Sequence, residues 1–285
     1  MADHALPDAD TELWRHFLTG ENPYLQKFQK YLGKLPAAPR CKLCMAPFAG
    51  PLAPLLRVAG FARWQLNSQL CLHCIRELDR RSGDAEIPVS VLYADVRGST
   101  TIAEQVGATE FTASLNDFYR TTARMVDSEQ GVIDQVAGDG MLALWIPAFA
   151  GGAHQRRAFN AGRMLAAMLS NSDLPVGVAV HTGDAYVGVI GELGSRDFTV
   201  LGDVPYTVSR MAGVAGAGEL LVSEAVATDV DLDTADLEQR EVSLKGKAAP
   251  LLVWVEAPTP VPASPRRRGS DGSAGELANS RRPLS

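Results

Sequence analysis

The sequence has no uninterrupted apolar run near the ~20 residues needed to cross a bilayer, and its first ten residues carry acids where an export leader would be basic and then apolar. These absences exclude a membrane span and an export signal as readings of the sequence, so a cytoplasmic protein is expected. Excess positive charge is missing too: 27 basic against 33 acidic residues leave a formal charge of -6. No global field would gather phosphates, so no nucleic-acid partner is expected and any anion must be held locally. Cysteine is scarce, with 4 in 285 residues. A disulfide-built scaffold is thereby excluded, and two close pairs in a reducing compartment read as metal thiolates. What remains is an ordinary globular composition, 46% hydrophobic and 21% charged. It excludes a wholly disordered chain and gives enough apolar surface for one or two domains.

The chain divides into three segments. Residues 1–82 hold all four cysteines, several aromatics and a helical stretch from Asp10 to Tyr31 interrupted at Pro23; a small accessory module is expected there. Residues 87–257 alternate strand and helix patterns. Residues 258–285 are rich in Pro, Ser, Gly and Arg with almost nothing to bury, and are expected to form a disordered tail. In the middle segment, Val89 to Ala94 is a β-branched apolar run that ends at Asp95, with a turn following at Arg97-Gly98-Ser99-Thr100. Phe111, Leu115, Phe118, Tyr119, Met125 and Val126 recur at helical spacing behind Thr109 and Glu110, and Gly131 stops that helix. Two apolar runs, Val132 to Val136 and Met141 to Ile146, flank Ala137-Gly138-Asp139-Gly140 and predict a hairpin with Asp139 at its tip. A second helix is expected from His154 to Leu169, then paired strands, Val176 to His181 and Ala185 to Ile190, around Thr182-Gly183-Asp184. Gly202-Asp203 opens a helix through Met211, and Glu219 to Val222, Val242 to Leu244 and Leu251 to Val255 read as strands. The fold class is α+β around a mostly antiparallel sheet.

Asp95, ending a strand, and Asp139, on a hairpin tip, can converge on hard divalent cations, which prefer oxygen ligands. The turn after Asp95 offers successive N–H groups and a helix N-terminus, a combination suited to a polyphosphate. Taken singly, each acid reads as a turn or cap residue, Arg210 as a surface residue on a helix, and Lys245 with Lys247 as a solvated turn. Order and spacing favour chemistry. The chain carries Tyr-Ala-Asp-Val-Arg-Gly-Ser-Thr from Tyr93, Ala-Gly-Asp-Gly-Met-Leu-Ala-Leu-Trp from Ala137 and His-Thr-Gly from His181. It continues with Phe-Thr-Val-Leu-Gly-Asp-Val-Pro-Tyr-Thr-Val-Ser-Arg-Met from Phe198 and Leu-Lys-Gly-Lys from Leu244. Together these motifs resemble the class III nucleotidyl cyclases over Ile87 to Glu256.

The resemblance implies a ferredoxin-like βαββαβ core with flanking helices, and a head-to-tail homodimer with two active sites between the subunits. One subunit would bring Asp95, Val96 and Asp139 to two Mg²⁺ or Mn²⁺ ions, with Val96, Arg97, Gly98, Ser99 and Thr100 around the triphosphate. The other would bring the base pocket, Gln135 and Thr199, and the groups that meet phosphate and ribose, Tyr206, Arg210 and Lys245. The implied reaction turns a nucleoside triphosphate into a 3′,5′-cyclic nucleotide and pyrophosphate. The base-reading Lys of the family falls at Gln135, its Asp partner at Thr199 and the assisting Asn at Tyr206. Gln both donates and accepts, so base choice is open. Tyr206 offers one donor on a larger ring, and losing such a donor costs roughly 10²–10³ in turnover. Two alternatives follow: a uridylate or cytidylate cyclase like those of bacterial anti-phage signalling, or a weakly active or inactive homologue with a regulatory role. Retention of Asp95, Asp139, Arg210 and Lys245 counts against the inactive reading.

Cys41-x-x-Cys44 and Cys71-x-x-Cys74 form two knuckles suited to a closed, structural Zn²⁺ site. An iron–sulfur cluster or a thiol switch is the alternative, and His73 is an alternative ligand inside the second knuckle. This double-knuckle segment before a cyclase domain resembles a group of bacterial soluble cyclases. Residues Ala46 to Gln69 must loop out between the knuckles and pack on something. A module joined so directly to the cyclase segment gives metal or redox state a route to bias the dimer.

Overall fold

The computed structural model describes residues 9–79, 84–170, 172–191, 197–243 and 249–257. Helices α1 (Ala9–Leu18), α2 (Pro23–Leu32), α3 (Ala53–Leu56) and α4 (Leu72–Asp79) precede the sheet. Pro23 starts a helix more than it breaks one. It sits in the first helical turn, where its missing N–H removes no helical bond, and the Asn22 side chain accepts from the Tyr24 and Leu25 N–H groups at 2.9 and 3.2 Å.

The strands are β1 (Asp84–Val96), β2 (Val132–Ala137), β3 (Gly140–Trp145), β4 (Val176–Ile190), β5 (Asp197–Leu201), β6 (Leu220–Ser223), β7 (Glu238–Val242) and β8 (Leu251–Glu256). Between them run α5 (Ser99–Val106), α6 (Ala108–Ser128), α7 (Pro147–Ala150), α8 (His154–Leu169), α9 (Asp203–Val214) and α10 (Glu224–Asp229). Among the described residues these strands make one eight-stranded sheet in the order β2-β3-β1-β4-β6-β8-β7, with β5 paired to β4. The β4–β6 pair is parallel and the other pairs are antiparallel, as the α+β reading expects.

Three local expectations are corrected. Val176 to Ile190 is one strand, not two strands around a turn. β1 pairs with it without interruption from Asp84↔Gly188 to Val96↔Val176, which carries Thr182-Gly183-Asp184 through in extended form. The Thr182 hydroxyl is satisfied inside the sheet, donating to the Val89 carbonyl at 2.8 Å. The hairpin partner of β4 is β5, paired from Tyr186↔Leu201 to Ile190↔Asp197. The helix N-terminus expected after the Asp95 turn belongs to a short helix of its own, α5, which Gly107 separates from α6. The strand expected at Val242 to Leu244 lies earlier, as β7, and Leu244 is outside the described residues.

One face of the sheet presents Leu92, Ala143, Trp145, Val178 and Val222 to the apolar sides of α6, α8 and α10. The opposite face presents Val89, Val91, Leu142, Leu144 and Leu221 to α9. That second cluster continues into the cysteine segment through Trp14, Leu18, Leu43, Leu70 and Ile75. Trp14 is 2% exposed. Burying a large apolar side chain is worth roughly 3 kcal/mol, so this segment is packed onto the sheet, not tethered beside it. No helix among the described residues is long and apolar enough to cross a membrane.

Candidate active site

Strand pairing brings the two acids together. Asp95 lies at the end of β1 opposite Gly140, the first residue of β3, and Asp139 is the neighbour of Gly140 in the hairpin turn. The Val96 N–H donates to the Asp139 carbonyl at 3.1 Å, which fixes the hairpin tip against the end of β1. A side chain at position 140 would collide with the Tyr93 phenol, so the close approach of these strands requires glycine there. Both carboxylates already have partners. Asp95 pairs with the Arg97 guanidinium, and Asp139 accepts from the Ser99 hydroxyl. Arg97 also donates to the Gly213 carbonyl near the end of α9 at 2.6 Å.

The electrostatics follow from this crowding. Burial, reinforced by the Asp139 charge, pushes the Tyr93 and Tyr119 phenols up, so both stay neutral donors; Tyr119 donates to the Gly138 carbonyl in the hairpin turn. Burial pulls Arg97 down while Asp139 and Tyr93 oppose it. Gly98 takes φ +63°, the left-handed region that glycine enters without strain, and begins α5 without a side-chain cap. The first N–H groups of α5 are therefore left for an anion. Two carboxylates and main-chain oxygen on adjoining segments form a hard donor set that fits Mg²⁺ or Mn²⁺, which would displace Arg97 and Ser99 from the acids.

Gln135, Thr199, Tyr206 and Arg210 lie on β2, β5 and α9. The β2–β3 ladder slips between Ile133 and Gln135: Ile133 faces Ala143, and Gln135 faces Leu142. Asp134 is the extra residue of this bulge, and its insertion puts exposed Gln135 on the Leu142 face of the sheet, the face of α9. Asp134 itself is 9% exposed and accepts from the Thr199 hydroxyl at 3.0 Å. Sequence reasoning missed Asp134; the available signal was an acid inside the apolar run Val132 to Val136. On α9, exposed Arg210 sits 5.1 Å from the centre of the half-buried Tyr206 ring, one helical turn away. Lys245 and Lys247 lie outside the described residues, as does the segment from Pro258 to Ser285.

The sequence profile of the adenylate and guanylate cyclase catalytic domain matches residues 84–257, from the first residue of β1 to just past β8. The chain belongs to this cyclase family. An adenylate cyclase of Anabaena cylindrica is 26% identical over 182 residues, which cover 58% of this chain and 36% of that one. The chain thus spans well under half the length of the curated relatives it matches. Two solved structures share the fold. The guanylyl cyclase Cya2 has a TM-score of 0.55 at 24% identity, covering 62% of this chain and 95% of its own. The adenylyl cyclase CyaB of P. aeruginosa has a TM-score of 0.53 at 22% identity, covering 60% and 94%.

Ahead of this cyclase domain the four cysteines converge. All are buried, none is in a disulfide, and their sulfurs lie within 4.8 Å of one another. The Cys41–Cys74 and Cys44–Cys71 sulfur pairs are 4.0 and 3.6 Å apart. A tetrahedral ion with bonds of ~2.3 Å needs sulfurs ~3.8 Å apart, so these two pairs are close to the spacing of a Zn²⁺ site. Main-chain N–H groups of Cys71 and Cys74 donate to the sulfurs of Cys41 and Cys71 at 3.3 and 3.4 Å, as thiolates require. Hydrogen bonding to Cys41, then burial, pushes the Cys74 thiol up, because four neighbouring sulfurs cannot all ionise without a cation. His73 packs against Phe61 and Phe28, with ring centres at 4.6 and 5.5 Å, and is not part of the sulfur cluster.

Proposed function

We propose that the protein converts a nucleoside triphosphate into a 3′,5′-cyclic nucleotide and pyrophosphate, in sites shared head-to-tail by two copies of the chain. The observation that carries this reading is the convergence of Asp95 and Asp139 beside the uncapped start of α5. Asp95, the Val96 main-chain carbonyl and Asp139 would hold the divalent ions. When bound, two Mg²⁺ or Mn²⁺ ions acidify the ribose 3′-hydroxyl and neutralise phosphate charge. The N–H groups of the Gly98-Ser99-Thr100 turn receive the phosphates. The 3′-oxygen attacks the α-phosphorus, forming one P–O bond as the bond to the leaving pyrophosphate breaks; the hydroxyl proton passes to solvent. From the second copy, Arg210 supplies charge where it builds on the α-phosphate, Tyr206 supplies a single O–H donor, and Lys245 holds the terminal phosphates. Exposed Val136 and Leu201, at 51% and 46%, lie on the strands of Gln135 and Thr199, and Tyr186, 36% exposed, pairs with Leu201 from β4; all three suit cover by a second copy.

Base choice follows from the Thr199–Asp134 bond. The Thr199 hydroxyl spends its proton on the Asp134 carboxylate, so it offers a base only its lone pairs. An acceptor facing purine C6 or pyrimidine C4 selects the amino group that adenine and cytosine carry there, against the carbonyl that guanine and uracil carry at the same position. ATP is therefore the first substrate and CTP the second reading; the bulk of the Tyr206 ring favours the smaller pyrimidine. A panel of ATP, CTP, GTP and UTP with Mn²⁺, read as cyclic product and pyrophosphate, tests this. Product from ATP or CTP is expected. Product from GTP or UTP alone would overturn the base assignment, and product from none would overturn the cyclase reading.

A further inference from the structure

The edge of the sheet nearest the base-side residues is held by the cysteine module. Among the described residues β2 is the outermost strand, and one side of its backbone has no strand partner there. At Ile133 two side chains take that place. Asn67 Nδ2 donates to the Ile133 carbonyl at 3.0 Å, and the Gln69 amide bridges the same residue, donating from Nε2 to its carbonyl at 3.3 Å and accepting its N–H on Oε1 at 3.4 Å. Gln69 thus imitates one peptide unit of a missing strand. Ile133 is the last residue before the bulge that buries Asp134 and turns Gln135 onto the α9 face. The segment that carries both amides is itself fixed by the cysteine knuckles. The Lys42 N–H, between Cys41 and Cys44, donates to the Gln69 carbonyl at 3.0 Å; Leu70 is fully buried; and the Cys71 N–H donates to the Cys41 sulfur at 3.3 Å.

We infer that Asn67 and Gln69 are positioning residues for nucleobase selection: they pin the start of the β2 bulge, and the metal-bound cysteine module holds them in place. The inference rests on the cyclase reading above, with Asp134, Thr199 and Gln135 on the base side. Three hydrogen bonds to one strand residue give the clamp roughly a tenfold or greater hold on the local opening of β2. Releasing it lets Asp134 leave Thr199, whose hydroxyl then donates as readily as it accepts. Loss of the clamp therefore weakens nucleotide binding and blurs the discrimination between amino and carbonyl bases, with chemistry itself little changed.

The test uses the full-length, metal-loaded protein and compares the parent with Gln69→Glu, Asn67→Ala/Gln69→Ala and, as a control, Lys42→Ala. Glu keeps the size of Gln and its acceptor but removes the donor. Lys42→Ala removes a different module contact, the 2.7 Å ion pair with Asp127 at the end of α6, and keeps the main-chain N–H. Amide exchange over residues 132–137 should quicken roughly tenfold in the Gln69 variants and stay at the parental rate in Lys42→Ala. KM for the preferred nucleotide should rise roughly tenfold with kcat within about twofold, and the amino-over-carbonyl preference should shrink by a similar factor. Stripping the metal from the parent should quicken the same peptide, and stripping it from the double variant should add nothing further. Unchanged exchange and unchanged preference in an active Gln69 variant would overturn the inference alone. A parent that turns over none of the four nucleotides would overturn the cyclase reading and the selection role with it.

Discussion

The cysteine cluster and the acid pair are both gatherings of metal-binding groups, and folding finishes only the first of them. Cys41, Cys44, Cys71 and Cys74 come from one chain, are at most 2% exposed, and have all their sulfurs within 4.8 Å of one another. Asp95 and Asp139 stand together too, but they supply half as many ligands, the Asp95 side chain remains 23% exposed, and their charge is met by Arg97 and Ser99. The difference teaches which free energy each cluster serves. A closed ligand set with no room for substrate contributes to folding, whereas an open set with displaceable partners contributes little until a substrate arrives.

The largest effect that could break this comparison is on the cysteine side. Cys44→Ala removes a ligand from a site whose metal would be worth several kcal/mol of folding, and a fall in Tm of roughly 10 °C with loss of bound zinc is expected. Elemental analysis and a melting curve check it; parental metal content and Tm would show that the cluster is not a structural site. The acid side should behave in the opposite way. Asp139→Asn is expected to lower turnover by roughly 10³ or more while Tm stays within about 2 °C, since its partners are weak and partly exposed. Mixed with an inactive Arg210→Ala variant, it should recover turnover, because a mixed dimer contains one intact site; no recovery would show that the site is not shared.

The smallest effect sharpens the comparison by removing a confounder. Acid releases metal from thiolates, but the core has its own acid-sensitive group. Burial holds the His154 imidazole down at about 4, with Asp229 opposing, and the Ser90 hydroxyl lies 2.9 Å from Nδ1. The unfolded chain binds that proton near the ordinary value of 6.5, so stability is lost as pH falls from about 6.5 toward about 4. The loss is on the order of 3 kcal/mol, and His154→Gln should flatten it in denaturant titrations at fixed metal content. A slope that persists in the variant would show that His154 is not the source of the acid sensitivity.

What the sequence made legible was local. Helix α8 matches its periodic pattern residue for residue, and the glycine-flanked Asp139 forms the expected hairpin turn. The class III motifs named the acids that β1 and β3 bring together. Features that depend on distant pairing stayed hidden. Thr182-Gly183-Asp184 reads as a turn by composition and becomes straight strand only because β1 lies alongside it. The start of helix α5 was legible in the turn after Asp95, but its end at Gly107, which also begins α6, was not. The Asp134 bulge and its support come from contacts such as Asn67 to Ile133, 66 residues apart, which no window of sequence contains.

Because Arg97 already neutralises Asp95, a sodium or potassium ion reaching this spot offers no more charge than the guanidinium it would evict, and must shed water to do so. An ion of valence two has the advantage. A guanidinium already in place thus favours a divalent over a monovalent ion before coordination geometry enters.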